Sequence, residues 1–507
     1  MLNKILKNKT AMVSILIFIV TIVAQGYNLW HYPMLLGDEG SYTARAWWII
    51  HFGKLDLYTY WYDHYFLGWL IIGLWLKLTG GLFTFGYTIF STRIFIILLN
   101  SVTNVILYLI GKQITKSHLL GVLGSVLFAL SPLAIYYHRQ VLLDNIMVFW
   151  LAFSMYFLLK CRSNLLYVFL GSISLGIAFL TKESAIFFIP GLFYLTTRKL
   201  SSSNRKYGIF IWVATTIFLF AQLPLLSMIR GEFFPSGWFG NNTEHVSIVE
   251  TYAYQSQRGT EISIFDPNSD FRSKVSQWLY ADKALIIAGL ASFLVITYAA
   301  KKTRKASYMV AALLYAGYAV FLIRGGVVLY FYVIPLIATS SIVIPLALSY
   351  VLKLFRIQRA NEFILGIILV ISIYYVSLSK EIYTYDAVTT QLNVIEYIRN
   401  SIPDNSVVAV NHWAYTDLKF HPSKGEGHKL VEWFYKIDLD PEIRDTKLSS
   451  DWKNIDYIVE DFEFTDYLAN TDDLTMLKQA YDNSNIVAEF GDNSTKYSKI
   501  RIRKVEQ

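Results

Sequence analysis

Apolar residues along the chain fall into long unbroken stretches, without the spacing of an amphipathic surface helix or the alternation of a half-buried strand. Eleven stretches stand out, near residues 11–30, 88–110, 119–136, 144–160, 165–181, 185–197, 207–228, 283–300, 307–323, 327–350 and 361–379. Most run for roughly 17–25 residues, and about 20 apolar residues cross a hydrocarbon core about 30 Å thick as a helix. The pattern predicts a polytopic α-helical membrane protein with about 11 transmembrane helices. The first stretch follows a Lys-bearing start, but no small-x-small cleavage site precedes the polar His31–Glu39 segment. It is read as a retained helix and not as a signal peptide. A further segment, Tyr65–Gly80, is apolar but short and contains Lys77. Counting it as a span would invert everything after it, so it is expected to lie in or dip into the outer interface.

Beyond residue 379 the pattern changes. Leu392, Ile395 and Ile398 recur at helical spacing near Thr390–Asn400, and Pro403-Asp404 marks a turn. Val407–Val410, Asp456–Glu460, Ile486–Phe490 and Ile500–Val505 read as strands, with a helix near Leu474–Tyr481. Helices mixed with strands predict a small α/β domain. Residues 1–379 thus form the membrane module, with 31–87 a first outer loop carrying interfacial helices and 229–282 a second, large one. Residues 380–507 form the extracytoplasmic α/β domain.

Composition agrees. The 507 residues are 54% hydrophobic and only 16% charged, against about 25% charged in a typical soluble chain. These figures exclude a cytosolic enzyme, a disordered or collagen-like chain, and a nucleic-acid-binding arm. The net charge of +8 is an average over two unlike parts: residues 1–379 carry 30 Lys+Arg and 14 Asp+Glu, residues 380–507 carry 15 and 23. Eighteen of those 30 cations sit in short segments on the side of the N-terminus, from Lys4 to Arg359. Of the 14 acids only Glu362 shares that side. Cytoplasmic loops carry such a Lys/Arg excess, which predicts a cell-membrane protein with its N-terminus cytoplasmic and its C-terminal domain outside. The single cysteine, Cys161, excludes an intramolecular disulfide and a multi-cysteine zinc site.

Ionisable groups recur at the outer ends of the spans: Asp38-Glu39, Asp63-His64, His138-Arg139 with Asp144, Lys182-Glu183, and Arg324 followed by Tyr330 and Tyr332. Charges so close to hydrocarbon are costly and mark functional sites by default. Taken singly, each has a plain structural reading. Arg139 and Asp144 read as a loop ion pair, Lys182-Glu183 as a solvated turn. Together they place a carboxylate and several cations around one cavity, which transfer of a group from a phosphate ester requires: a base for the acceptor proton and cations for the departing phosphate.

The ordered series LLGDEGSYTARA, YYHRQVLLDNIMVFWLAFSMYF, LGIAFLTKESAIFFIPGLFYL, Gln277-Trp278 to Asp282, and RGGVVLYFYVIP resembles the GT-C membrane glycosyltransferases. The resemblance covers roughly residues 11–350. It is nearest the branch of dolichyl-phosphate-mannose protein mannosyltransferases and the lipid A aminoarabinose transferase. It implies a polyprenyl-phosphate sugar donor, inverting transfer on the outer side, Asp38 as catalytic base, and Glu39 beside it at the acceptor. Arg139, Lys182 and Arg324 would contact the lipid-linked phosphate. Asp63-His64 falls where the family has an acidic and then a basic residue before two prolines, here replaced by Tyr65-Phe66, and His64 is placed with the phosphate-binding cations. His138, Asp144, Tyr330 and Tyr332 complete the cavity. Relatives in the oligosaccharyltransferase branch hold a divalent ion, for which Asp38, Asp144 and His138 offer donors. Arg139 and Lys182 already supply positive charge, so no metal or other cofactor is expected. The partners expected are the donor, the bilayer, and an acceptor on protein, lipid or glycan, with no nucleic acid.

Two other classes stand beside this reading: a transporter or flippase of lipid-linked saccharides, and a ligase or polymerase using a diphosphate-linked donor. Transporters place charge near the bilayer midplane, often in two related halves. Here the span interiors are almost free of charge and no repeat is found. Asn241-Asn242-Thr243 and Asn493-Ser494-Thr495 fit the N-glycosylation pattern. His412, His421 and His428 lack ligand spacing and are read as surface side chains.

Overall fold

The computed structural model describes residues 8–55, 62–241, 245–257, 264–421, 425–426, 430–471, 473–492 and 499–506. Asp56, Lys4, Lys7, Asn242-Thr243, Asn493–Thr495, His428 and the side chain of His421 lie outside the described residues.

Helix α1 (Lys9–Gly26) starts where the Asn8 side chain accepts from the Thr10 and Ala11 amides, and it buries only Ile17, Thr21, Ala24 and Gln25. That narrow stripe faces the bundle. Met12, Ile15, Leu16, Ile19 and Val23 stay exposed on the other side, as lipid-facing side chains do. A short helix α2 (Gly37–Trp47) and α3 (Leu67–Thr79) follow. At 1.5 Å per residue the 13 residues of α3 reach roughly 20 Å, too short to cross the hydrocarbon core.

The bundle continues with α4 (Thr88–Thr115), α5 (His118–Leu130), α6 (Pro132–Tyr137), α7 (Leu143–Leu158), α8 (Leu165–Thr181), α9 (Ile189–Lys199), α10 (Arg205–Phe220) and α11 (Gln222–Ile229). After α12 (Ile248–Gln257) come α13 (Asp270–Thr303), α14 (Ala306–Ile323), α15 (Ile334–Leu354) and α16 (Ala360–Leu378). Among the described residues seven helical stretches are long and apolar enough to cross a membrane, and four apolar helices, α3 among them, are shorter. α15 forms the core of the bundle: its stretch, with the turn before it, has 83% of its most apolar window buried, whereas α1, α10–α11 and α16 have 17%.

Several predicted spans are broken where polar groups intervene. The stretch at 119–136 splits at Ser131-Pro132, because a proline opens α6. Within α13, Asp282 leaves helical geometry (φ −151°, ψ 76°), and its carboxylate accepts from the Leu285 amide at 2.9 Å and the Ser131 hydroxyl at 2.5 Å. It acts as a cap inside one long helix, so the apolar half starts at Lys283.

After α17 (Lys380–Thr384) and α18 (Thr389–Ser401), the C-terminal domain folds around a sheet of order β4-β1-β5-β7-β6. β1 (Val407–Val410) runs parallel to both β4 (Leu430–Trp433) and β5 (Tyr457–Glu460). β7 (Ile500–Val505) pairs antiparallel with β5 and with β6 (Ser484–Phe490). β2 (Phe420–His421) and β3 (Gly425–Glu426) form a separate ribbon. Helices α19 (His412–Lys419), α20 (Phe434–Leu439), α21 (Phe462–Asn470) and α22 (Thr475–Asp482) complete the domain.

The domain docks on the bundle through satisfied polar contacts. Asp417 accepts from the amide and hydroxyl of Thr88 at 3.1 and 2.7 Å, capping α4. Gln391 exchanges two hydrogen bonds with the Leu35 backbone at 2.7 and 2.8 Å.

Candidate active site

The first turn of α2 gathers the sequence's strongest candidates. Glu39, at its third position, accepts from the Leu36 amide at 3.3 Å, and two acids in a first turn complement the helix dipole. Adjacent residues on a helix point about 100° apart, and here they part company. Asp38 is half-buried, and burial pushes its carboxyl up against the pull of His64 and Lys182. Glu39 is fully buried and clasped by Arg93, with Nε to Oε1 at 2.8 Å and Nη2 to Oε2 at 2.6 Å. Oε1 also accepts from the Val141 amide at 2.9 Å, and Arg93 donates further to the Pro33 and Met34 carbonyls. The Glu39–Arg93 pair thus ties α2, the loop before it, α4 and the 138–143 turn together. Arg93 was not singled out by sequence; a cation in the first turns of the otherwise apolar α4, well away from the Lys112 end, was its only signal.

Lys182 ends α8 in extended conformation (φ −153°, ψ 128°), which turns its side chain back to the bundle. Its ammonium donates to Asp144 Oδ2 at 2.6 Å and lies 4.7 Å from the ring centres of both Phe331 and Tyr332. Asp144 Oδ1 is buried without a partner among the described residues. Asp144 therefore pairs with Lys182 and not with Arg139. His64 accepts or donates between Tyr42 (Oη to Nε2, 3.3 Å) and Glu183 (Oε2 to Nδ1, 3.5 Å). Asp63 meets Arg45 at 3.3 Å, and the Arg45 guanidinium covers Trp69.

The turn before α15 supplies the far wall. Tyr318 donates to the Tyr332 carbonyl and Trp278 to the Tyr330 carbonyl, both at 2.8 Å. Arg324 is exposed and lies over the Phe321 ring at 4.0 Å. The charges acting on Asp38 come from His64, Lys182, Asp144 and Glu39, so these groups lie close around it.

His138 and Arg139 have other partners. His138 Nδ1 accepts from Gln25 at 3.2 Å, and its ring packs on Phe128. Arg139 is buried and donates to the Ala24 and Tyr32 carbonyls, each at 3.2 Å, at the C-terminal end of α1. Free carbonyls and the negative end of the dipole make that a favourable seat for a guanidinium.

Among the described residues no three His, Cys, Asp or Glu side chains converge as metal ligands. Asp144 carries an ammonium and His138 faces an amide, so two of the three donors named from sequence are engaged elsewhere, leaving Asp38 where a divalent ion wants several oxygens.

Two further elements reach the site. Buried Glu232, in the long 230–282 loop, accepts from Tyr62 at 2.5 Å and from Arg230 and His245 at 2.8 Å, tying that loop to the residue before Asp63-His64. The C-terminal domain contributes Asn411, Asp461 and Glu463 against the first turn of α2. His412 is buried and stacked on Trp433 at 3.8 Å, not a surface histidine, because the start of α19 that carries it packs onto α2.

The family model for dolichyl-phosphate-mannose-protein mannosyltransferase matches residues 15–234. No curated protein matches the chain. Among solved structures, ArnT from Cupriavidus metallidurans bound to undecaprenyl phosphate is similar over 98% of this chain and 98% of that one, with a TM-score of 0.60 at 12% identity. The apo oligosaccharyltransferase of Archaeoglobus fulgidus is similar over 96% of this chain and 74% of its own, with a TM-score of 0.59 at 13% identity. The Archaeoglobus fulgidus oligosaccharyltransferase AglB in complex with an inhibitory peptide and a dolichol-phosphate gives 90%, 70% and 0.56 at 12% identity.

Proposed function

We propose that this multi-pass membrane protein, whose fold is that of the GT-C membrane glycosyltransferases, moves one sugar from a polyprenyl-phosphate carrier to an acceptor hydroxyl on the outer side of the membrane. The observation that carries the reading is the juxtaposition of Asp38 with Lys182 and His64 at the end of the bundle that bears the C-terminal domain. Asp38, raised by burial, is a stronger base than a solvated carboxylate. It takes the acceptor's proton as the acceptor oxygen bonds to the anomeric carbon. The bond from that carbon to the phosphate oxygen breaks, and polyprenyl phosphate leaves with the electron pair. Attack from the side opposite the phosphate inverts the anomeric centre.

Lys182, His64 and Arg324 hold the phosphate as its charge grows. Asp144 orients the Lys182 ammonium, and its free Oδ1 accepts from a donor or acceptor hydroxyl. Tyr330 and Tyr332 line the sugar, and Asp63 holds Arg45 at the rim. In this reading Glu39 fixes the turn that carries Asp38, while Arg139 and His138 fix the turn that carries Asp144. The Lys/Arg asymmetry of the loops supports an N-terminus in the cytoplasm, with the site and C-terminal domain outside.

The test is release of polyprenyl phosphate from a labelled polyprenyl-phosphate hexose by the full chain in lipid, with envelope extract as acceptor. Release by the wild type, lost in Asp38→Asn while the carrier still binds, supports the transferase. Binding without release by the wild type would favour transport of the carrier instead.

A further inference from the structure

The transfer mechanism leaves unused a cluster of carboxyls and amides that belongs to the other domain. β1, β4 and β5 are parallel, and the loops leaving their C-terminal ends begin with Asn411, Phe434 and Asp461. Such strand ends are where open α/β sheets bind ligands. Here two of these loops are pressed against the helix that carries Asp38. A Cβ on Gly40 would lie 1.9 Å from the His412 carbonyl oxygen, and one on Gly37 would lie 2.7 Å from Glu463 Oε2 and 2.8 Å from Asn411 Oδ1. The two glycines bracketing Asp38-Glu39 are therefore seats for the C-terminal domain.

The contact is organised. Buried Asn411 donates from one Nδ2 to Asp461 Oδ2 at 3.0 Å and to Glu463 Oε2 at 2.5 Å. Asp461 accepts in addition from Trp413 Nε1 at 2.7 Å and the Phe464 amide at 2.8 Å. Glu463 accepts from the Gly37 amide, one of the free donors of the α2 terminus. Burial, with Asp461 and Asp38 nearby, pushes its carboxyl up to about 8, so it reaches Gly37 without adding a second negative charge at neutral pH.

We propose that Glu463 and Asn411 are positioning residues of the active site, holding the first turn of α2 from the C-terminal domain and so fixing where Asp38 points. Attachment of the domain does not depend on them, since Asp417 with Thr88 and Gln391 with Leu35 hold it elsewhere. Removing Glu463 loosens one turn and leaves the domain docked.

The proposal rests on the transfer reading for its catalytic half, and two readouts keep the halves apart. Full-length protein in lipid nanodiscs carries Glu463→Ala, Glu463→Gln or Asn411→Ala. Hydrogen exchange of the Gly37–Tyr42 amides reads the hold on α2, and turnover of a polyprenyl-phosphate hexose reads its consequence. In Glu463→Ala and Asn411→Ala we expect faster exchange confined to α2 and a kcat lower by about tenfold or more, with KM for the carrier within about twofold, as displacement of a base by a fraction of an ångström produces. Glu463→Gln, which keeps a neutral acceptor for Gly37, stays within about threefold of wild type on the same argument. Unchanged exchange in Glu463→Ala, or a loss of turnover shared equally by Glu463→Gln, would overturn the proposal. Should Glu463→Ala fail to fold, Gly37→Ala adds a methyl at the same contact and carries the same expectation. A wild type that never turns over the carrier sinks the transfer reading, while the exchange result still decides whether Glu463 holds α2.

Discussion

Two neighbouring carboxylates can do opposite work when a helix separates their directions. Asp38 faces the cavity with its proton affinity raised, whereas Glu39 spends every lone pair on Arg93 and the Leu36 and Val141 amides. Breaking a buried ion pair strands a charge and costs about 3–5 kcal/mol. We expect Glu39→Gln to lower the thermal stability of the lipid-embedded protein by that order, and Asp38→Asn to leave stability nearly unchanged while abolishing polyprenyl-phosphate release. Calorimetry beside the release assay checks both. The raised Asp38 carboxyl also fixes a pH dependence. As the proposed base, Asp38 would work only when deprotonated, so turnover should fall as pH drops through its raised value. The acid limb of kcat against pH should lie above the range of a solvated aspartate, near 3.9. Much of this was legible in the sequence, since charges at the ends of apolar spans are conspicuous. Their partners were not. The plain structural alternative in the sequence was an ion pair of Asp144 with Arg139 in the same turn, but the ammonium of Lys182, 38 residues on, takes the carboxylate. Arg139 goes to the free carbonyls of α1 because a helix C-terminus attracts a cation.

At the scale of elements, the apolar runs located helices of the bundle, seven stretches among the described residues being long and apolar enough to cross a membrane. The four strands expected in the C-terminal domain fell within two residues of their places, whereas β4 and the β2–β3 ribbon were not foreseen. What the runs concealed were the interruptions: Asp282 inside α13, the proline that opens α6, and the 3-10 turn Tyr330–Val333 ahead of α15. Each depends on a polar partner or a local backbone restriction that hydrophobicity does not register. The glycines around Asp38-Glu39 were present in the sequence, yet only tertiary contact shows why no side chain fits there. Gly40→Ala would drive a methyl into the His412 backbone, which cannot swing aside as a side chain can. Overpacking of this kind costs about 1–3 kcal/mol, and we expect the variant to expose the domain junction to limited proteolysis. Glu463 makes the same junction sensitive to pH. The ionisable groups acting on it are Asp461 in its own turn and Asp38 on α2, and Tyr330 feels its charge from the turn before α15. Below about pH 4.3, the value of a free glutamate, both the docked and the separated forms hold the proton. As pH rises the separated form ionises first, while the docked form keeps its proton up to about pH 8. The hold of Glu463 on the first turn of α2 is therefore strongest in acid and weakens across that window, while the domain itself stays attached. Exchange of the Gly37–Tyr42 amides, corrected for intrinsic rates, should quicken between pH 5 and pH 8 in roughly that sense and be flatter in Glu463→Gln.

For the molecule as a whole, the site and the C-terminal domain occupy one end of the bundle, and the orientation of that end decides which substrates it meets. A polyprenyl-phosphate sugar on the outer leaflet reaches Asp38 only if this end is outside. The cations on which the proposed direction rests lie around the short turns at the opposite end, such as Arg198, Lys199, Arg205 and Lys206 at the facing ends of α9 and α10 and Lys301 to Lys305 around the turn from α13 to α14. Their density near span ends is what retains a loop in the cytoplasm. Cys161 is buried, so an engineered exposed cysteine reports its own side of the membrane with little background. We expect Lys478→Cys, exposed on α22, to react with a membrane-impermeant maleimide in intact cells, and Ser203→Cys, exposed between α9 and α10, to react only after permeabilisation. The reverse pattern would put Asp38 in the cytoplasm, where the acidic domain would meet nucleotide-activated sugars and cytoplasmic acceptors, and the outer-leaflet transfer argued from the cavity would have no substrate.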